Sequence, residues 1–222
     1  MKNKSIIITG AASGMGAASA RKFSKSGANV TIVDINEDLA FQVANEIETA
    51  DPIIGDIGDS SFCNKVIEST IERYGKVDVL VNCAGTILRA NAENTTDDDW
   101  HRVMSTNVNG LFFMSRAAIT PMIKNGNGVI INFGSIWGSV GSAGVVAYCA
   151  SKGAVHQITR AMALDHAKDG IRINSVCPGE VNTPMLSTGR KSPPTKEDLQ
   201  KIADETIPVA RLAEPEEIAN VV

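Results

Sequence analysis

The sequence predicts a single α/β domain built on a doubly wound parallel sheet. Two observations carry this expectation. Apolar runs of strand length recur at 5–10, 28–33, 77–82, 129–133 and 171–176, continuous rather than alternating, as strands covered on both faces read. Segments of helical character lie between them, so right-handed crossovers should place helices on both sides of the sheet.

The totals fit that class. A chain of 222 residues can bury one sizeable core, and 43% hydrophobic with 21% charged residues is ordinary for a globular domain. A net charge of -4 with scattered Lys and Arg speaks against a nucleic-acid partner. No secretory or transmembrane segment is read, so no membrane partner is expected. Cys63, Cys83, Cys149 and Cys177 show neither a CxxC pair nor close zinc-ligand spacing. Free thiols in a reducing cytoplasm, with no metal site, are the simplest account.

The first strand runs into Gly10-Ala-Ala-Ser-Gly14-Met-Gly16 and a helix expected at 17–26. Glycines there permit a tight turn and close backbone approach to a ligand, and the helix start offers free N–H groups to a pyrophosphate. The second strand ends at Asp34, whose carboxylate can accept hydrogen bonds from an adenosine ribose and would repel a 2′-phosphate. Neither Ser13 nor Ile35 supplies the positive charge a 2′-phosphate would want, so NAD is expected over NADP.

A helix at 36–48 capped by Asn36, a short third strand at 52–56, and a helix at 60–74 closed by Gly75 follow. Asp56 can meet an adenine edge or cap the helix near Ser60, and the spacing leaves both open. After the fourth strand, the small residues Cys83-Ala84-Gly85 would let backbone pass close to a cofactor. A loop at 86–96 precedes a long helical region, 97–122, interrupted by Asn107-Val-Asn-Gly110. Such residues lower helix propensity. They mark either a packing glycine or a kink that opens an Asn107 group or a carbonyl to an ordered water.

The fifth strand delivers Ser135 to the carboxyl end of the sheet. A Gly-rich connection then leads to a helix at 146–168 that carries Tyr148 and Lys152 one turn apart on one face. A fixed ammonium beside a phenol favours the phenolate and lowers a pKa that is ordinarily about 10. Beyond the sixth strand lie Cys177-Pro178-Gly179 and a polar, proline-punctuated stretch at 184–206 with a helical patch from 195 to 205. That composition, after a parallel strand, suits a substrate lid. A last helix is expected from 212.

Taken in order, Thr9-Gly10-x-x-x-Gly14-x-Gly16, Asn82-x-Ala84-Gly85, Asn107-x-x-Gly110, Ser135, Tyr148-x-x-x-Lys152, Pro178-Gly179 and Thr183 resemble the short-chain dehydrogenase/reductase family over nearly the whole chain. The resemblance implies a Rossmann-like fold and hydride transfer between NAD(H) and a secondary alcohol or ketone. It also implies a homo-oligomer, a tetramer or, for a shortened chain, a dimer. It assigns Tyr148 as general acid/base, Ser135 to the substrate oxygen, Lys152 to the nicotinamide ribose and to lowering the Tyr148 pKa, and Asn107 to a water. Cofactor contacts are implied along Gly10, Ser13, Gly14, Met15, Gly16, Asp34, Ile35, Asp56, Ile57, Asn82, Ala84, Gly85, Pro178, Gly179, Val181 and Thr183. Much of the family has a second Asn where this chain has Cys83, and a thiol cannot reproduce an amide's donor and acceptor.

Two other readings of the same residues are a cofactor-binding protein with impaired turnover and an NAD-dependent lyase or epimerase. Ile87, Leu88, Trp137, Val140, Val181, Met185 and Leu186 are the expected substrate wall; Glu180 and Arg190 can read polar substituents there, though solvent is the commoner place for such residues. Relatives continue beyond the position of Val222 with a seventh strand. Its absence here is expected to leave the sixth strand as an exposed apolar edge.

Overall fold

In the computed structural model, which describes residues 1–47 and 50–222, the strands are β1 (Ser5–Thr9), β2 (Asn29–Asp34), β3 (Ala50–Ile54), β4 (Val79–Asn82), β5 (Gly128–Phe133) and β6 (Ile171–Val176). They form one parallel sheet in the order β3-β2-β1-β4-β5-β6. The helices are α1 (Gly14–Lys25), α2 (Glu37–Glu46), α3 (Ser60–Tyr74), α4 (Asp97–Met104), α5 (Leu111–Asn125), α6 (Val146–His166), α7 (Lys196–Thr206) and α8 (Pro215–Ala219).

The continuous apolar strands are explained by cover on both faces. Ile6, Ile7 and Ile8 are all fully buried, but alternate side chains enter opposite layers. Ile6 and Ile8 pack with Phe23 of α1 and Val43 of α2, whereas Ile7 packs with Val66 of α3 and Met114 of α5. Burying each isoleucine contributes about 1.5–3 kcal/mol relative to exposure. Below the sheet's carboxyl end a polar chain ties the layers together. Asn82 Nδ2 donates to Ser115 Oγ and to Asn132 Oδ1, both at 2.9 Å, and Asn132 Nδ2 donates to Thr159 Oγ1 at 2.9 Å.

Several boundaries differ from the sequence reading, each for a local reason. Helix α1 begins at Gly14 because Ser13 is already the extended residue before it, so Gly14, Met15 and Gly16 form its first turn. Helix α2 starts where expected, with Asn36 Oδ1 accepting from Leu39 N at 3.0 Å; Glu48, its expected end, lies outside the described residues. Asp59 caps α3 by accepting from Ser61 N at 2.8 Å, which removes that role from Asp56. The single long helix of 97–122 is in fact α4 and α5 joined by a π-turn, Ser105–Gly110. Gly110 is also a packing glycine, since a Cβ there would meet Ile57 Cγ1 at 2.5 Å.

Strand β6 lies at the sheet edge, but its outward positions are Arg172 and Asn174 while Ile171 and Ile173 are buried. The expected apolar edge is therefore largely polar. Among the described residues no helix is long and apolar enough to cross a membrane.

Candidate active site

Strand order reverses between β1 and β4, and the chain leaves the two strands in opposite directions at their carboxyl ends. A ligand crevice opens at such a point. Here it is a cleft of about 610 Å³, within the range of small-molecule and cofactor sites. Gly10 forms its floor with φ +66°, and a Cβ there would stand 2.6 Å from Ala84 Cα. A Cβ on Gly16 would come within 2.1 Å of Gly10 O. Backbone replaces side chain along this wall, which is what a dinucleotide needs in order to approach a helix start.

The cleft is lined by Gly10, Ser13, Gly14, Met15, Gly16, Asp34, Ile35, Asp56, Ile57, Ala84, Gly85 and Thr183. At its far end Asp34 is held rigidly: Oδ2 accepts from Ala12 N at 2.9 Å and Oδ1 from Asn36 N at 3.0 Å. Pro178, Gly179 and Val181 line the adjoining substrate-side cleft instead. Asn82 does not face the cleft. Its side chain is 2% exposed and directed into the polar chain between β4, β5 and α5, because Ser115 and Asn132 stand beneath it. Cys83 does line the cleft as a neutral thiol, its pKa pushed up to about 12 by burial. Sequence reasoning missed Arg102 and Thr106, which line this cleft with Asp56 and Ile57. Both follow from the fold of α4 and its π-turn, not from spacing.

Where the smaller cleft adjoins this one, Asn107, Ser135, Tyr148 and Lys152 come together, all nearly excluded from water. Tyr148 and Lys152 share the inner face of α6, with Lys152 Nζ 5.6 Å from the centre of the Tyr148 ring. Lys152 Nζ donates to Phe133 O at 2.6 Å. Trp137 packs edge-on against the Tyr148 ring, with centroids 6.1 Å apart. Ser135 ends the extended backbone after β5, its Oγ accepts from Trp137 N at 3.2 Å, and it lines the same cleft as Tyr148. Asn107 uses its side chain on the backbone of Thr86, accepting from its N at 2.8 Å and donating to its O at 2.9 Å, and donates also to Ser151 Oγ at 2.9 Å. A Cβ on Gly85 would lie 3.4 Å from Asn107 Oδ1 and 3.6 Å from Lys152 Nζ, so this backbone borders both.

The expected lowering of the Tyr148 pKa is not found. Burial raises it to about 12, with Ser135 the main opposing influence, and burial lowers Lys152 to about 8. Both charged forms suffer from lost hydration, the first cause of each shift. His156, one turn beyond Lys152, was also missed. It is 5% exposed, accepts from Ser135 N at 3.5 Å and lies 3.2 Å from Cys177 Sγ. The signal was present: residues 148, 152 and 156 repeat at helical spacing.

The substrate-side cleft shares Met15, Thr183 and Met185 with the larger one. Ile87, Trp137, Val181, Met185 and Leu186 line it as expected, but Leu88 does not, and Val140 is 61% exposed. Glu180 is half-buried in this cleft instead of lying in solvent, and Arg89 lines it too. Arg190 is exposed, with Nε donating to Leu186 O at 2.9 Å.

Comparison with known proteins agrees with this geometry. A family described as short chain dehydrogenase matches residues 4–193. The meso-2,3-butanediol dehydrogenase of Serratia marcescens is 39% identical over 99% of this chain and 85% of its own length. A cyclopentanol dehydrogenase of Comamonas sp. is 34% identical over 100% of this chain and 89% of its own. The crystal structure of a 3-ketoacyl-(acyl-carrier-protein) reductase from Brucella melitensis complexed with NADH superposes with a TM-score of 0.91 at 33% identity, covering 99% of this chain and 89% of that one. With this match, the reversed strand order and the glycine-floored cleft, the chain belongs to the short-chain dehydrogenase family.

Proposed function

We propose that this NAD(H)-dependent oxidoreductase interconverts a secondary alcohol and its ketone with Tyr148 as the general acid/base. The observation that carries the reading is the convergence of Ser135, Tyr148, Lys152 and Asn107 beside a dinucleotide-sized cleft: Ser135 and Tyr148 line the smaller cleft that adjoins it through Met15, Thr183 and Met185, and Asn107 and Lys152 stand behind Gly85 of its wall. The cleft fits the cofactor: its wall at Gly10 and Gly16 has no room for side chains, and the Asp34 carboxylate is fixed at the opposite end. Gly14, Met15 and Ser13 would hold the pyrophosphate, Asp34 the adenosine ribose, Asp56 and Ile57 the adenine, and Thr183 the carboxamide. Bound NAD supplies the hydride acceptor at its nicotinamide ring.

The residues supply the rest. Ser135 Oγ hydrogen-bonds the substrate oxygen, where negative charge develops during reduction. Tyr148 takes the hydroxyl proton during oxidation and returns it during reduction. Lys152 holds the ribose hydroxyls and places an ammonium over the phenol ring. The Asn107 side chain is fully engaged, so its main-chain carbonyl in the π-turn is the group that would hold a water leading from Lys152 to solvent. The stretch 184–206 closes over the substrate as a lid.

The names of the relatives agree with secondary alcohols as the substrate class: one is a butanediol and one a cyclopentanol dehydrogenase. A cytoplasmic homo-oligomer is the accompanying inference, supported by four free cysteines and by Phe112, Ile123 and Leu164 exposed on the long helices α5 and α6. The deciding experiment is a panel of secondary alcohols and ketones assayed with NAD(H) and NADP(H) separately. Net NADH formation or consumption supports the reading. Substrate conversion without net change in NADH would replace it with a lyase or epimerase.

A further inference from the structure

Two charged side chains line the substrate-side cleft and have no part in the hydride-transfer scheme. Arg89 lies on the loop after β4 and Glu180 on the segment after β6, and they share that cleft with Ser135 and Tyr148. The Arg89 side chain and the Glu180 main chain are both held. Arg89 Nε donates to Thr188 O at 3.0 Å, and the Arg89 stem runs 3.6 Å from where a Cβ on Gly189 would stand. The Glu180 main chain is held at the cleft wall, its O accepting from Ala213 N at 3.1 Å, next to the buried Val181.

Among the described residues no ion pair joins Glu180 to Arg89 or to Arg190. Burial raises the Glu180 pKa, the two guanidinium groups act against that at a distance, and Glu180 in turn acts on Tyr148. A desolvated acceptor and a desolvated donor thus face one cleft beside the acid/base, without closing on each other. Such a pair is completed by a group that both donates and accepts.

We propose that Glu180 and Arg89 are specificity-determining residues that select substrates with a second oxygen beside the reacting carbinol, namely vicinal diols and hydroxy-ketones. This rests on the oxidoreductase reading of Tyr148. A second hydroxyl donates to the Glu180 carboxylate and accepts from the Arg89 guanidinium. A simple alcohol leaves the half-buried Glu180 carboxylate without that donor, and the Arg89 guanidinium with only its bond to Thr188 O. A carboxylate in the same place is repelled by Glu180.

The test uses the full chain with NAD and three substrates on one four-carbon skeleton: meso-2,3-butanediol, 2-butanol and 3-hydroxybutyrate. The wild type is expected to favour the diol over 2-butanol by about tenfold or more in kcat/KM, as a hydrogen bond to a charged group allows. Glu180→Leu is expected to bring that ratio to within about threefold, and Glu180→Gln, which keeps an acceptor, to leave an intermediate ratio. The change should appear mainly in the diol's KM. Equal use of diol and 2-butanol by the wild type, a ratio that Glu180→Leu does not move, or a preference for 3-hydroxybutyrate would each overturn the proposal. Turnover of 2-butanol in those cases leaves the oxidoreductase reading standing. Failure to oxidise any of the three, with NADH binding intact by fluorescence titration, would overturn both.

Discussion

Lys152 Nζ stands 5.6 Å from the centre of the Tyr148 ring and gives its 2.6 Å hydrogen bond to Phe133 O, not to the phenol. The lysine is thus fixed by the strand that delivers Ser135, and it acts on Tyr148 through space. With Tyr148 raised to about 12 and Lys152 lowered to about 8, the phenol remains protonated near neutral pH. It is set as a proton donor for ketone reduction, whereas oxidation needs the phenolate. Alcohol oxidation should therefore rise with pH through the alkaline range, while ketone reduction is best near neutrality and falls as the phenol loses its proton. Initial rates in both directions across that range check this. Tyr148→Phe should lower both rates by about 100-fold or more while NADH still binds. Retained turnover would remove Tyr148 from the acid/base role.

The Asp34 carboxylate is aligned by Ala12 N and Asn36 N, and the proposed reading gives it the choice of cofactor. A carboxylate so fixed cannot turn aside from a 2′-phosphate. The wild type should use NAD in preference to NADP, and Asp34→Ala should reduce that preference by about tenfold or more, mostly through a higher KM for NAD. Kinetics with both cofactors at saturating alcohol measure it. Equal or better use of NADP by the wild type would reject the assignment.

At Gly16 the added methyl group of alanine would come within 2.1 Å of Gly10 O, and that carbonyl is backbone at the turn between β1 and α1. The turn must move. Gly16→Ala should cost about 3 kcal/mol or more of stability and weaken NADH binding together, because one loop serves both. Urea unfolding and a fluorescence titration of NADH report the two effects. Loss of binding with unchanged stability would mean that the turn has more slack than the packing indicates.

Much of this site was legible in the sequence because backbone chemistry and helical spacing announce themselves. Gly10 and Gly16 are demanded by close approach, Tyr148 and Lys152 by one helical turn, and Asp34 by the end of an apolar strand. Burial is a different matter. The Tyr148 pKa direction was misjudged because a sequence shows the neighbouring charge but not the lost water. The sequence leaves Glu180 between the pocket and solvent and Arg89 unnoticed, because charged residues in loops are usually solvated and only the packing of two distant loops brings them to one cleft. Asn82 looked like a cofactor contact because it sits beside Ala84 and Gly85, yet strand alternation turns its side chain toward α5.

Asp78 gives a prediction at the opposite end of the sheet. Its carboxylate accepts from Lys4 Nζ at 2.8 Å and from Ser5 N at 2.9 Å, and forms an ion pair with Lys76 Nζ at 3.0 Å. Its backbone joins the start of β1, through Ser5 O, to the start of β5, through Val129 N. Burial works to raise its pKa, but the bonds from Lys4, Ser5 and Lys76 together hold it below the ordinary value. A carboxyl depressed on folding contributes stability above its unfolded pKa and loses that contribution as pH falls through the folded value. Asp78→Ala should therefore destabilise the chain by about 1–3 kcal/mol at pH near 7, leaving Ser5 N without its partner, and the gap from wild type should narrow in acid. Because Asp78 lies at the amino ends of the strands, far from the cleft at their carboxyl ends, KM for NAD should not change. Urea unfolding at neutral and acid pH, with steady-state kinetics on the folded variant, separates these effects. A gap that widens in acid would mean that Asp78 is not the group holding these strand ends together.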